Sequence, residues 1–328
     1  RLAARYLPYL HRHAAALDPR EPARAAGAGL DRESIAEWGR REIGKDFVEL
    51  LAHPLLAAYY ASAPAETSAG FYHALAEAGR EVAVYAVRGG MGALAAALAG
   101  ALHARGAVVH TGTRIEEIVD RGDSVELSWT GGTARHDAVV VATTAPVAAS
   151  LLAATTPVAD WLAGVRQRPT ASLALRLDRP VPADYFGLCF TPAEPAGRRI
   201  AAICVQERKG ARLVPDGGLV VVLPAPETAS RMAGAAPADA LELARPALEE
   251  AFPGFSSWIV RAKLYRFRDG VPVFYPGYLE HLHRFPADRL PERIALAGDY
   301  LVAPTVEGAV ISGRRAAERL LARAAQAS

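Results

Sequence analysis

The C-terminal end holds the residues whose types and spacing imply chemistry most plainly. Ile294-Ala295-Leu296-Ala297 is a short apolar run that reads as a buried strand, and it delivers Gly298, Asp299 and Tyr300 to the strand's carboxyl end. Ligands of α/β sheets bind at that end, and a carboxylate there can accept hydrogen bonds from a sugar-like hydroxyl chain. A helix predicted over 308–325 follows, opened by Gly308, and its first N–H groups lack intrahelical acceptors. The positive end of that helix suits a ring edge that becomes negative on reduction. Gly313, Ala316 and Ala317 are expected to let the helix pack close to a sheet. The plainer alternative is a strand–loop–helix with a capping acid.

A second glycine cluster, Gly90-Met91-Gly92-Ala93-Leu94-Ala95, matches the G-x-G-x-x-A dinucleotide pattern. It follows a predicted strand over 81–87 and opens a helix over 93–105 that Gly106 ends. The acid that should grip a ribose about 20 residues on is missing. The next predicted strand, 108–111, runs into His110-Thr111-Gly112, with no acid before Glu116. The spacing therefore predicts a tight strand-to-helix turn and not the main pyrophosphate site. His281 and His283 stand two apart, on one face of a strand, and a surface or loop place is expected for them over a metal pair. No Ser/His/Asp set, cysteine nucleophile or metal-ligand cluster stands out, so no metal is expected.

These residues must be positioned by a chain of 328 residues, 51% hydrophobic, with a formal charge of +2. That size predicts two domains. Near-neutral charge and scattered arginines give nucleic-acid binding no support. No apolar run reaches the ~20 residues that span a bilayer. Cys189 and Cys204 have neither disulfide nor metal spacing, which suggests a reducing, cytoplasmic setting. The chain opens on Arg1 within an amphipathic segment over 1–14, so it is expected to start inside a fold, and no secretory signal follows.

Residues 1–80 read as mostly helical, with a cap region at Asp31–Ser34 and a break at Pro54. Segments 115–119, 125–129 and 133–135 read as a small antiparallel meander, and 138–142 as a strand buried on both faces. Strands are predicted over 170–177, 200–206, 218–224 and 258–267, and a helix over 237–251.

The ending Gly298-Asp299-Tyr300 with Thr305-Val306-Glu307-Gly308-Ala309-Val310 resembles the C-terminal flavin motif of the flavin amine oxidase, protoporphyrinogen oxidase and phytoene desaturase superfamily of FAD-dependent oxidoreductases. Arg88-Gly89-Gly90-Met91 resembles its G-G-[ML]-x-x-L element. Thr113 to Ile118 resembles its T-x-V-x-x-I strand, and Asp137 to Thr144 its strand ending in A-T-x. Arg40 to Gly44 and Pro54-Leu55-Leu56 resemble the helical stretch of protoporphyrinogen oxidases. The resemblance covers nearly the whole chain and implies FAD, held by Arg88, Gly89, Gly90, Ile115, Ala142, Thr143, Gly298, Asp299, Val306, Glu307 and Gly308. Arg88 would place a cation near the flavin or serve as a structural donor. Phe274 and Tyr275, in a segment similar to the family's substrate-cavity loop, would form an aromatic wall or pack between domains. Tyr300 would stack near the ring or pack.

The implied fold is α/β with mixed α+β character: an incomplete glutathione-reductase-type FAD-binding domain interwoven with a substrate domain of mixed sheet plus helices. Expected divisions are 1–80 (helical part of the substrate or cap domain), 81–150 (part of the FAD domain), 151–287 (substrate domain) and 288–328 (C-terminal part of the FAD domain). One departure is large. The family's first strand, its G-x-G-x-x-G turn and the ribose acid have no counterpart, so these residues alone are expected to bind FAD weakly or not at all. Trimming of a longer chain, a homodimer or a second polypeptide would account for the difference. The implied activity is hydride removal from a small, apolar or aromatic substrate, led by protoporphyrinogen or coproporphyrinogen oxidation. Amine or amino-acid oxidation, desaturation of an isoprenoid or natural product, and a non-catalytic subunit that has lost flavin are the alternatives. The cytoplasm is the expected location, with peripheral membrane contact through the N-terminal helices left open.

Overall fold

Capping residues decide where the N-terminal helices begin. The computed structural model describes residues 2–18, 20–79, 85–209 and 216–327. Helix α1 spans Leu2–His13. Helix α2 (Ile35–Glu42) opens on a capping box: Ser34 Oγ accepts from the Glu37 N–H while the Glu37 carboxylate takes the Ser34 N–H. Helix α3 (His53–Tyr60) runs on from a π-type turn over Val48–Ala52, and that wider turn accommodates the missing N–H of Pro54. Pro54 therefore continues the helical path where a break was expected. Helix α4 (Ala69–Ala78) starts at the Ser68 cap. Tyr6, Trp38, Phe47 and Tyr72 form the core of this bundle around buried His73.

The strand expected over 81–87 falls largely outside the described residues, and 85–87 are not in a strand. Helix α5 spans Gly92–His103 and buries none of its residues. The strand expected over 108–111 is absent. Val108 and Val109 are exposed, and no described strand pairs with them; β-rich composition without a partner forms no ladder. The meander is present: β1 (Ile115–Asp120), β2 (Val125–Trp129) and β3 (Gly132–His136). Strand β4 is Val139–Val141, followed by α6 (Ala145–Leu152) and α7 (Val158–Ala163).

Five antiparallel strands follow: β5 (Gln167–Leu177), β6 (Gly187–Cys189), β7 (Ile200–Val205), β8 (Gly218–Pro224) and β9 (Ile259–Pro272), in the order β6-β7-β8-β5-β9. Helices α8 (Pro226–Gly234) and α9 (Pro237–Ala251) cover one face of this sheet. The alternation of β8 puts Val220 and Val222 into the core they share with Leu173, Leu175 and Leu248. Helix α10 spans Tyr278–His283. His281 and His283 therefore lie on a helix, not a strand, and point different ways; His281 stacks flat on Trp161. Strand β10 (Ile294–Leu296) pairs in parallel with β4, Ile294 facing Val139 and Leu296 facing Val141. Val140 of β4 remains 40% exposed, so this strand is not buried on both faces. Helix α11 (Val306–Ala327) closes the chain.

Candidate cofactor site

The parallel pairing sets two strand ends side by side. Ala297 N–H donates to Val141 O at 3.0 Å, so Ala142 and Thr143 stand next to Gly298 and Asp299. Gly298 N–H donates to Ser312 Oγ at 2.9 Å, and that hydroxyl donates to Ala309 O at 2.8 Å. One side chain of α11 thus ties the helix to the strand end, and Ala316 packs behind it on Ala295 and Ala297. Gly313, expected to make the close approach, has nothing within 4 Å of a would-be Cβ.

The glycines at the strand end and helix start have steric reasons. A Cβ on Gly298 would lie 2.1 Å from the Tyr300 ring, and one on Gly308 would lie 2.1 Å from Ala303 O. Thr305 caps α11: its Oγ1 accepts from Gly308 N–H at 2.9 Å and its carbonyl from Ala309 N–H at 3.0 Å. The N–H groups of Val306 and Glu307 are left without a described acceptor. The Glu307 side chain turns to Arg20, 3.2 Å away.

Burial pushes the Asp299 carboxyl up, partly offset by hydrogen bonds from the backbone of Tyr300 and of Asp299 itself. No described side chain hydrogen-bonds or ion-pairs with it. Tyr300 is fully buried; its carbonyl accepts from Tyr278 Oη at 2.8 Å. The Tyr300 hydroxyl and Thr144 Oγ1 are buried without a partner. A cleft of ≈ 460 Å³ opens at the amino end of α11, between Thr305, Gly308 and Ile311 on one side and Tyr59 and Tyr60 of α3 on the other. A carboxylate with no described side-chain partner, helix N–H groups without a described acceptor and a cleft at the helix start fit a ligand with a hydroxyl chain and an electron-rich ring edge.

Other predicted residues fall elsewhere. Ile115 starts β1, half-buried against the core that also holds Tyr300. Arg88 and Gly89 are exposed on the turn that enters α5, with Gly89 and Gly90 at φ +81° and +84°; no described hydrogen bond ties them to β10 or α11. Phe274 is 2% exposed and packed between Phe71 and Tyr278, which is the packing alternative, and it lines none of the clefts described. Tyr275 lines a separate cleft of ≈ 560 Å³ with Arg166, whose guanidinium lies 4.1 Å from its ring centroid. Sequence reasoning gave Thr305 and Ser312 no role beyond a place in the motif, and missed Tyr59 and Tyr60. Thr305 had a signal, a hydroxyl three residues before Gly308; the reach of Ser312 back to Gly298 had none. Among the described residues no cluster of metal-ligand type occurs, and no helix is long and apolar enough to cross a membrane.

A family profile described as flavin containing amine oxidoreductase matches residues 10–321. The chain belongs to that family. FAD is the cofactor this membership assigns, and the Asp299 carboxyl without a side-chain partner and the unpaired N–H groups at the start of α11 fit it. Three solved structures share the fold. A protoporphyrinogen oxidase, so named with reservation, from Exiguobacterium sp. 255-15 is 17% identical with a TM-score of 0.68, over 87% of this chain and 66% of its own. Cyclohexylamine oxidase from Brevibacterium oxydans IH-35A is 16% identical with a TM-score of 0.70, over 96% and 73%. A redesigned putrescine oxidase is 16% identical with a TM-score of 0.75, over 98% and 74%. The chain thus spans about two thirds of the first structure's length and about three quarters of the other two. No curated protein matches it by sequence.

Proposed function

We propose that this protein is an FAD-dependent oxidoreductase that removes hydride equivalents from a carbon of a small apolar or aromatic substrate, with porphyrinogen oxidation the leading instance. The observation that carries the reading is the unpaired Asp299 carboxyl beside the glycine-cradled amino end of α11. A bound flavin supplies the two-electron acceptor. Asp299 would hold the ribityl–phosphate region. The N–H groups of Val306 and Glu307 would face the ring edge that gains charge, Ala142 and Thr143 would border it, and Gly298 and Gly308 let the chain close on Tyr300 and Ala303 so that strand end and helix start stand together. The backbone of Ile115 would serve the adenine, and Arg88 with Gly89 and Gly90 would place a cation near the flavin or serve as structural donors. The expected domain division goes with this assignment.

The exposed apolar face of α5 supports a further element: a strand–turn–helix, on this polypeptide or a second copy or chain, that packs there and grips the pyrophosphate. The cytoplasm is the proposed location, with the free thiols of Cys189 and Cys204 in keeping. Amine oxidation is the second reading, favoured by the family's description and by the cyclohexylamine and putrescine oxidases among similar structures.

Flavin absorbance of the protein purified together with the element that grips the pyrophosphate is the first test, and colourless protein of that kind that cannot be reconstituted would overturn both readings. Anaerobic bleaching then separates them: coproporphyrinogen or protoporphyrinogen bleaches the flavin under the first reading, a primary amine under the second.

A further inference from the structure

The five-stranded sheet has a second face, which α8 and α9 do not cover. Parity along the strands decides what stands on it. Leu173, Leu175 and Leu264 point into the helix-covered core, so Arg176, Arg261, Lys263, Tyr265 and Phe267 point the other way. The β5–β9 register places Arg176 opposite Arg261, Ala174 opposite Lys263 and Ser172 opposite Tyr265. Tyr265 and Phe267 are 42% and 50% exposed. Helix α3, whose Tyr59 lines the cleft at the amino end of α11, packs on β7 of the same sheet, two strands from β5. Tyr59 of α3 has its hydroxyl raised by burial and by the nearby thiols of Cys189 and Cys204 on β6 and β7.

The charges on this face are unbalanced. Two arginines directly opposite each other in an antiparallel pair repel, and Lys263 adds a third positive charge one pair along the same face. Among the described residues none of the three makes an ion pair or side-chain hydrogen bond with a carboxylate. Lys263 Nζ instead lies 4.5 Å from the Tyr265 ring centroid. Other arginines of the chain do find acids, as Arg179 does with Asp178 and Arg245 with Glu242. A cationic end joined to an aromatic middle matches a flat or apolar molecule carrying carboxylates, which would pair with the cations while its body lies on the rings.

Resting on the proposed oxidoreductase function, we propose that the open face of this sheet takes an apolar, carboxylate-bearing substrate, with Arg176, Arg261 and Lys263 pairing its acid groups and Tyr265 and Phe267 supporting its body. The site then selects acids and rejects amines, since a primary ammonium ion would meet like charge.

The test uses two matched probe sets on the purified protein: coproporphyrin against its tetramethyl ester, by fluorescence quenching, and naphthylacetate against naphthylethylamine, by calorimetry. The wild type is expected to bind each acid at least ten-fold tighter than its ester or amine counterpart, with an advantage that shrinks as salt rises. Arg176→Gln with Arg261→Gln is expected to close most of that gap while leaving the ester's affinity unchanged and, as the opposed charges go, the melting temperature no lower. Equal or tighter binding of the ester and amine by the wild type overturns the proposal, as does a gap that survives the double substitution. If naphthylacetate shows the gap and coproporphyrin does not bind, the porphyrinogen reading fails while this one stands.

Discussion

At the scale of single residues, Gly308 and Gly313 make a controlled pair, both on α11 and five positions apart. A methyl on Gly308 would strike a backbone oxygen, which cannot swing aside, whereas one on Gly313 meets open space. Gly308→Ala is expected to destabilise the fold by about 1–3 kcal/mol and lower flavin content. Gly313→Ala is expected to stabilise it by about 0.5–1 kcal/mol, with flavin content unchanged. Thermal melts and the flavin-to-protein absorbance ratio read both. Asp299 carries a different trade. Its folded carboxyl sits above its ordinary value because burial disfavours the charge, so its contribution to stability is complete at low pH and lost as pH rises through the folded pKa. Asp299→Asn should therefore raise the flavin-free protein's stability at neutral pH by about 1 kcal/mol, while weakening flavin binding. An apo protein that melts lower, or a flavin affinity that does not change, would show that the carboxyl has another task.

At the scale of elements, the helical bundle contains a proton-linked weak point. His73 is enclosed by Tyr6, Tyr9, Trp38 and Tyr72, and burial pushes it down to about 3. The neutral ring takes the Tyr6 hydroxyl at Nδ1, 2.7 Å away, and leaves Nε2 buried without a partner. A depressed folded value means that this site's stability is present above the ordinary histidine range and lost as pH falls, because the unfolded chain protonates first. Between pH 7 and pH 5 the loss is about 2 kcal/mol. His73→Phe should flatten that part of the melting-temperature profile, and a profile identical to the wild type's would rule the histidine out. Element type was legible wherever a local pattern decided it. The meander announced itself through the turn residues Arg121-Gly122-Asp123 and Gly131-Gly132, and β8 through a continuous apolar run between Gly218 and Pro224. Residues 108–111 misled because strand composition says nothing about a partner, and His281 misled because a spacing of two has meaning only once the element type is known. The cofactor cradle was half legible. Gly298, Asp299 and Gly308 were visible in order, but Ser312 acts through a contact that closes only when strand and helix meet. The cations opposite each other on β5 and β9 were invisible, since their pairing depends on register between segments far apart in sequence.

At the scale of the whole molecule, the largest imbalance is the apolar surface around α5. Leu94, Leu98 and Leu102 are spaced by four, so they form one stripe, and they are 41%, 56% and 50% exposed. Val306 and Val310 on α11 are also more than half exposed, at 55% and 59%. A helix that is apolar along one side and buries nothing is expected to seek a cover. The 328-residue chain alone should therefore self-associate in a concentration-dependent way, visible by sedimentation velocity. The triple substitution Leu94→Gln, Leu98→Gln and Leu102→Gln should restore a monomer. It should leave the melting temperature within about 2 °C of the parent, because positions that bury nothing contribute little packing energy. A triple variant that stays associated, or that melts several degrees lower, would mean the stripe is already packed within the chain. Flavin content adds the functional arm. If the stripe seats the element that grips the pyrophosphate, the same substitutions should strip flavin from protein that carries it, although they lie on a different helix from Asp299 and Gly308.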